Sequence, residues 1–230
     1  MLAGNEILFE DNHLLIVNKK AGLPVQNDKS GDASLLDLAR EYVRNKYHKP
    51  GNVFIGLPHR IDRPVSGVVI LCKTSKSLSR IAQAFKSKKI IKTYLAIVTD
   101  RPVPSEGNLI HWISKNSKNN KVTVYRQEHE GALRSELSYK IVGDNAGYYL
   151  LQVNPLTGRP HQIRAQLSKI NCPIAGDVKY GAPEINREQN IGLHSASVNL
   201  NHPVSQLPLL ITAPLPETRL WSLFKNYSRE

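Results

Sequence analysis

An α+β fold, with a mixed, mainly antiparallel sheet and flanking helices, is predicted by three features of this sequence. Strand-like runs outnumber helical ones, and they follow one another instead of alternating with helices. In "SELSYKIV" Leu137, Tyr139 and Ile141 recur at every second position, so one strand face is buried and the other wet. The 230 residues are 40% hydrophobic and 22% charged, enough to bury a core. No repeat, low-complexity block or clear linker divides the chain, so residues 1–230 are read as a single domain.

The elements follow in order. "EILFEDNHLLIVNKKAGLPVQ" predicts two short strands, Ile7 to Glu10 and Leu14 to Asn18, punctuated by Asp11-Asn12 and closed at Gly22. "SLLDLAREYVRNKY" predicts a helix capped by Asp32 or Ser34, with Leu35, Leu38, Ala39 and Tyr42 on one face. "GVVILCK" is nearly all apolar, which marks a strand covered on both faces. "SKSLSRIAQAFKSKK" places Leu78, Ile81, Ala82 and Phe85 at amphipathic-helix spacing. "KTYLAIV" reads as a strand, and "TDRPVPSEGN" as a Pro/Gly connector. "KVTVY", "RSELSYKIV" and "YYLLQVN" are further strands, with "SKNSKNNK" at a hairpin tip. "TGRPHQIRAQLSKI" predicts a helix with Pro160 in its first turn and Ile163, Leu167 and Ile170 as its core stripe. "GLHSASVNL" is one more strand, before a final "RLWSLF".

Charge narrows the function. Thirty-one Lys and Arg against 19 Asp and Glu leave a formal net charge of +12, which favours a polyanionic partner, nucleic acid before an acidic membrane. No apolar run approaches the ~20 residues that span a bilayer. The acid-bearing start "MLAGNEILFEDN" lacks a signal-peptide layout, so a cytoplasmic protein is expected. Cys72 and Cys172 make neither a disulfide framework nor a metal-ligand pattern, and the eight histidines include no H-E-x-x-H spacing. Phosphate-cradling glycine loops and a G-x-S-x-G elbow are also missing. No metal and no cofactor are expected.

Three places carry candidate chemistry. From Lys73 to Lys92 the chain holds Lys73, Lys76, Arg80, Lys86, Lys88, Lys89 and Lys92 without an acid, and Lys115, Lys118 and Lys121 form a second cluster. One such run is an ordinary solvated face; two unbalanced clusters favour phosphate contact. In "LPHRIDRPVSG" Asp62 stands between Arg60 and Arg63. The bland reading is a surface ion pair, but in a cleft nearby cations would keep the carboxylate ionised as a nucleophile or base. "TGRPHQIR" offers Arg159, His161 and Arg164, the last two three residues apart on the expected helix, beside free backbone N–H groups. A capped helix with solvated arginines is the competing reading there. Tyr94 is by pattern a core aromatic before it is a stacking platform.

These motifs together resemble one family. "HRIDRPVSGVVILCKT" resembles the catalytic-aspartate motif of the RluA family of RNA pseudouridine synthases. "EDNHLLIVNKKAGLPVQ" is similar to that family's opening segment, "KTYLAIV" to its tyrosine-bearing strand, and "LTGRPHQIRAQL" to its arginine-bearing helix. "GDVKYG" and "LHSASV" resemble its later strands. The similarity runs in order from about residue 7 to 215. Lys20 stands where the family often has proline, and the separate N-terminal RNA-binding module of some members is not expected here.

The resemblance implies the pseudouridine synthase catalytic fold and the isomerisation of uridine in RNA to pseudouridine. It implies Asp62 as nucleophile, on the ribose or on the base, Arg164 as its ionic partner, and Tyr94 stacked on the uracil. Arg60 would fill the gap left by the flipped nucleotide. Arg63, Lys73, Lys76, Arg80, Lys86, Lys88, Lys89, Lys92, Arg159 and His161 would contact RNA, in a monomeric enzyme acting on an rRNA or tRNA stem-loop. Two alternatives stand beside it: a basic RNA-binding protein without catalysis, and a carboxylate-nucleophile glycosidase, which would need a second acid that none of the motifs supplies.

Overall fold

The computed structural model describes residues 2–116, 121–184 and 190–227. The chain forms two compact units, Met1–Ile91 with Ser195–Pro214, and Lys92–His194 with Leu215–Glu230. The α+β expectation holds within both, and the strand pairings detailed below are antiparallel.

In the first unit β1 (Ile7–Glu10) turns back into β2 (Leu14–Lys19). The Asp11 carboxylate makes this turn by accepting the N–H groups of His13 (2.8 Å) and Leu14 (2.6 Å). β2 pairs with β3 (Ser66–Cys72), beside which lie β9 (Leu193–Asn201) and then β10 (Pro208–Thr212). Every residue of β3 is buried, as its continuous apolar run predicts. Leu14, Ile16, Val68, Ile70, Val198, Leu200 and Ile211 form a core on which Leu78, Ile81 and Phe85 of α2 (Ser75–Lys86) pack. Ala82 is exposed instead, and Ser77 is buried, its hydroxyl donating to the His13 carbonyl at 2.9 Å. The expected face holds at Leu78, Ile81 and Phe85, with Ala84 packed there in place of Ala82.

α1 (Leu35–Lys46) is capped by Ser34, whose hydroxyl accepts the Asp37 N–H while the Asp37 carboxylate accepts the Ser34 N–H. Asp32 is engaged by Arg63. Leu35, Ala39 and Val43 are buried, with Leu38 and Tyr42 flanking them. The helix is tied to β1 through Glu10, whose carboxylate accepts from Tyr42 (2.8 Å), Tyr47 (2.8 Å), Lys46 (2.6 Å) and Lys73 (2.9 Å). Burial alone would raise the Glu10 pKa, but these four donors outweigh it and bring it from 4.5 to about 2. A carboxyl with a depressed folded pKa stabilises the fold above its unfolded value and loses that contribution as pH falls through the folded one. Glu10→Gln should therefore lower stability at neutral pH and flatten the loss of stability between pH 4.5 and about 2. Acid titration of the unfolding free energy tests this, and an unchanged acid limb would show that the four contacts carry no net energy.

In the second unit the strand order is β4-β8-β7-β5-β6, from β4 (Ile91–Val98), β8 (Tyr148–Pro155), β7 (Leu133–Asn145), β5 (Glu106–Asn116) and β6 (Lys121–Tyr125). Leu137 and Tyr139 are buried as alternation requires, and a register shift between Ile141 and Gly143 ends the pattern. α3 (Gln162–Lys169) lies against β5 and β6. The strand pattern of β5 is masked in sequence because buried His111 occupies the inward position between Leu109 and Ile113. β10 was likewise not anticipated, and "RLWSLF" contributes only the single turn α4 (Arg219–Ser222). Trp221 is buried edge-on to His194, whereas Trp112 on β5 is partly exposed. Both cysteines are free and buried, and burial pushes the Cys72 thiol up to about 12. Among the described residues no helix is long and apolar enough to cross a membrane.

Candidate active site

Asp62 sits in a turn whose main chain is held from several sides. Its carbonyl accepts the Val65 N–H at 3.0 Å, and the Arg63 carbonyl accepts the Gly22 N–H at 2.8 Å. Ile61, buried, anchors the approach. Just upstream, His59 Nε2 accepts the Ile70 N–H at 2.9 Å and its ring lies 4.7 Å from that of Phe85. Gly56 completes the docking by exchanging both main-chain bonds with Cys72. The residues before Asp62 thus borrow hydrogen bonds from the flank of β3.

Beneath the turn lies Lys19, 1% exposed, which the sequence reading did not single out. Its ammonium donates to the carbonyls of Lys20 (2.8 Å), Leu23 (2.8 Å) and Arg63 (3.1 Å). Burial pulls its pKa from 10.5 to about 7, against the opposing pull of the Asp62 charge. Three carbonyl acceptors need three hydrogens, which only the protonated amine has, so the geometry is that of the cation. In that form Lys19 is a buried positive charge that interacts electrostatically with the Asp62 carboxylate.

The cations around this turn divide. Arg60 is exposed. Arg63 is engaged within the fold. Its Nε donates to the Gly22 carbonyl at 2.9 Å, and its other nitrogens pair with Asp28 (3.5 Å) and Asp32 (2.5 Å), clasping the loop of residues 28–32 to the turn. Lys73 is likewise engaged within the fold: its side chain is 7% exposed, paired with Glu10 at 2.9 Å and set 4.4 Å from the Tyr47 ring centroid. Adjacent acids distant in sequence made both look unbalanced. Lys76, Lys86, Lys88 and Lys89 are exposed, and Arg80 is exposed with one nitrogen donating to the Pro203 carbonyl at 2.7 Å.

The other candidates belong to the second unit. Tyr94 is half-buried on β4, opposite Val153 of β8. Lys92, two residues earlier, is also half-buried, and burial lowers its pKa. The strand there is held by Asn154, whose amide donates to the Lys92 carbonyl (3.2 Å) and the Thr93 hydroxyl (2.9 Å). Lys115 and Lys121 are exposed at the ends of β5 and β6, whereas Lys118 lies outside the described residues.

Helix α3 starts later than its sequence suggests. His161 has a left-handed backbone (φ 53°) and is its N-cap, so Pro160 precedes the helix and His161 does not share a helical face with Arg164. Gln162 fixes this entry: its Oε1 accepts from the Thr157 hydroxyl (2.7 Å) and the Arg159 N–H (3.0 Å), and its Nε2 donates to the Glu136 carbonyl (3.0 Å). Arg159 is partly exposed, its Nε donating to the Arg134 carbonyl at 3.3 Å.

Arg164 is buried and gripped in a fork by Asp177, Nε to Oδ2 at 2.6 Å and Nη2 to Oδ1 at 2.8 Å. Its guanidinium stands 5.1 Å from the ring centroid of Tyr180. The segment "GDVKYG" that supplies both partners is a 3-10 turn, Val178–Tyr180, and not a strand. Asp177 was legible only as an acid after the apolar "CPIAG", since its partner lies thirteen residues away. Among the described residues no group of three or more His, Cys, Asp or Glu could hold a metal ion.

Comparison with known proteins gives this arrangement a family. Residues 13–169 match the family model described as RNA pseudouridylate synthase, a span that includes Asp62, Tyr94 and Arg164. The ribosomal large subunit pseudouridine synthase C of Buchnera aphidicola subsp. Baizongia pistaciae is 32% identical over 222 residues, covering 94% of this chain and 68% of the relative. Its counterpart in Buchnera aphidicola subsp. Acyrthosiphon pisum is 34% identical over 218 residues, covering 92% and 67%. Among solved structures, human RNA pseudouridylate synthase domain containing 4 superposes with a TM-score of 0.78 at 25% identity, covering 95% of this chain and 92% of that one. The aspartate turn, the tyrosine strand and the arginine helix thus lie within a match running through most of the chain, which belongs to the RluA-type RNA pseudouridine synthases, isomerases that convert uridine in RNA to pseudouridine.

Proposed function

We propose that this enzyme modifies uridine in ribosomal RNA, with Asp62 as the nucleophile, in a single catalytic domain of residues 1–230. The observation that carries the reading is the Asp62 turn itself: a carboxylate on a backbone held by Lys19, Gly22 and Val65. The bond from the ribose anomeric carbon to the ring nitrogen breaks, the uracil rotates, and its carbon 5 is joined to the ribose; the carbon 5 proton is lost and the freed ring nitrogen takes up a proton. Reactant and product are isomers, so the balance requires no redox carrier, nucleotide or metal. Arg164, oriented by Asp177, is the ionic partner of Asp62. Tyr94 stacks on the uracil, and Arg60 fills the space it vacates. The names of the curated relatives favour ribosomal RNA over tRNA. The enzyme works as a monomer in the cytoplasm. Release of tritium from carbon 5 of labelled uridine in rRNA, with tRNA transcripts alongside, tests the reading. No release from any rRNA would overturn it.

Phosphate contact on this reading comes from Lys76, Lys86, Lys88 and Lys89, exposed along and after α2. Replacing Lys86, Lys88 and Lys89 by glutamine should weaken every RNA alike, because phosphate contacts carry no base information. The slope of log affinity against log salt should flatten by about 2. A slope equal to that of the unsubstituted protein would make this an ordinary solvated face.

A further inference from the structure

The 3-10 turn that supplies Asp177 also supplies Tyr180, and that side chain meets both β6 and α3 of its unit. Its hydroxyl accepts the main-chain N–H of Val122, in the second residue of β6, at 3.2 Å. The same oxygen lies 2.7 Å from Nδ1 of His161, the N-cap of α3. Its ring lies edge-on to the His161 imidazole and 5.1 Å from the Arg164 guanidinium carbon. The turn is itself tied to α3, since the Ser168 hydroxyl donates to the Tyr180 carbonyl at 2.7 Å.

One hydroxyl has one hydrogen and two lone pairs. The Val122 N–H occupies one lone pair, which leaves the phenolic hydrogen for His161 when Nδ1 is bare. Val122 belongs to the strand pair whose last rung is Asn116–Lys121, and its partner across the ladder is Lys115. A shift of that hairpin therefore pulls on the phenol, and the phenol's ring is in contact with the arginine.

We propose that Tyr180 is a positioning residue that couples the β5–β6 hairpin to Arg164, so that RNA seated on the hairpin helps to orient the arginine. The inference rests on the pseudouridine synthase reading for its activity arm only. Its structural arm, the tether between Tyr180 and Val122, stands apart from any reaction.

Two substitutions separate the two ends of the side chain. Tyr180→Phe removes the hydroxyl contacts with Val122 and His161 and keeps the ring beside Arg164; Tyr180→Leu removes the ring as well. In Tyr180→Phe the Val122 amide should exchange with solvent at least about fivefold faster, the factor that one lost hydrogen bond corresponds to. kcat should fall by a similar factor, because RNA on the hairpin no longer acts on the arginine, while KM for rRNA changes less than twofold. Tyr180→Leu should in addition lower kcat by tenfold or more. A merely structural tyrosine would lower thermal stability and both kinetic constants together, in both variants. Unchanged Val122 exchange in Tyr180→Phe overturns the tether, and equal loss of kcat in the two variants overturns the division between hydroxyl and ring. If the unsubstituted protein releases no tritium from any RNA, the functional reading fails, and the exchange measurement still decides the tether.

Discussion

Asp62→Asn is expected to abolish pseudouridine formation, with a loss of about 10⁴-fold or more, while RNA affinity and fold are retained. The substitution exchanges one oxygen for an amide nitrogen and removes the charge that makes the group a nucleophile. The turn need not move, because main-chain atoms hold it: the carbonyl of Asp62 to Val65, and that of Arg63 to Gly22 and Lys19. A second signature accompanies the loss. Burial lowers the pKa of Lys19 and the Asp62 charge raises it, and the net is about 7. Without that charge the ammonium should lose its proton at a lower pH still. Tritium release and RNA affinity, measured side by side, check the main effect. Turnover clearly above blank would remove Asp62 from the chemistry.

Gly67→Ala is expected to have the largest effect on folding. Gly67 has φ +110°, and a Cβ there would lie 2.2 Å from the Ser195 carbonyl oxygen and 2.7 Å from its carbonyl carbon and nitrogen. These are backbone atoms of β9 and cannot rotate aside, so strands must separate for a methyl group to fit. Gly22 provides the comparison. It has φ +84° but open space where a Cβ would stand, so Gly22→Ala meets only the backbone cost of about 1–2 kcal/mol. Gly67→Ala should exceed that several-fold, beyond about 4 kcal/mol, and yield little soluble protein. Denaturant unfolding of both variants is the test; similar midpoints would mean that β3 and β9 are not pressed together at this position.

Local features were read from the sequence with the least error. β3 is buried throughout because "GVVILC" has no polar face to expose, and α2 is helical because Leu78, Ile81 and Phe85 fall on one side. Asp62, Tyr94 and Arg164 stood out through motif resemblance. What failed depended on partners far along the chain. Arg63 and Lys73 look like free cations until folding brings Asp28, Asp32 and Glu10 to them. His161 looked helical because Pro160 suits a first turn, but Gln162 captures the preceding backbone and starts the helix one residue after the histidine. Lys19 ends a strand whose other residues are mostly apolar, and nothing local reveals that three carbonyls converge on it.

The distribution of tryptophan has a consequence for spectroscopy. The chain has two tryptophans, and Trp112 and Trp221 both belong to the second unit. Intrinsic tryptophan emission therefore reports on that unit alone, while the Asp62 turn and Gly67 belong to a unit without an indole. A single sigmoidal fluorescence transition is thus no proof of two-state unfolding. Only a probe that senses the first unit, such as far-ultraviolet dichroism or a tryptophan introduced beside α1, tells whether the two halves melt in concert.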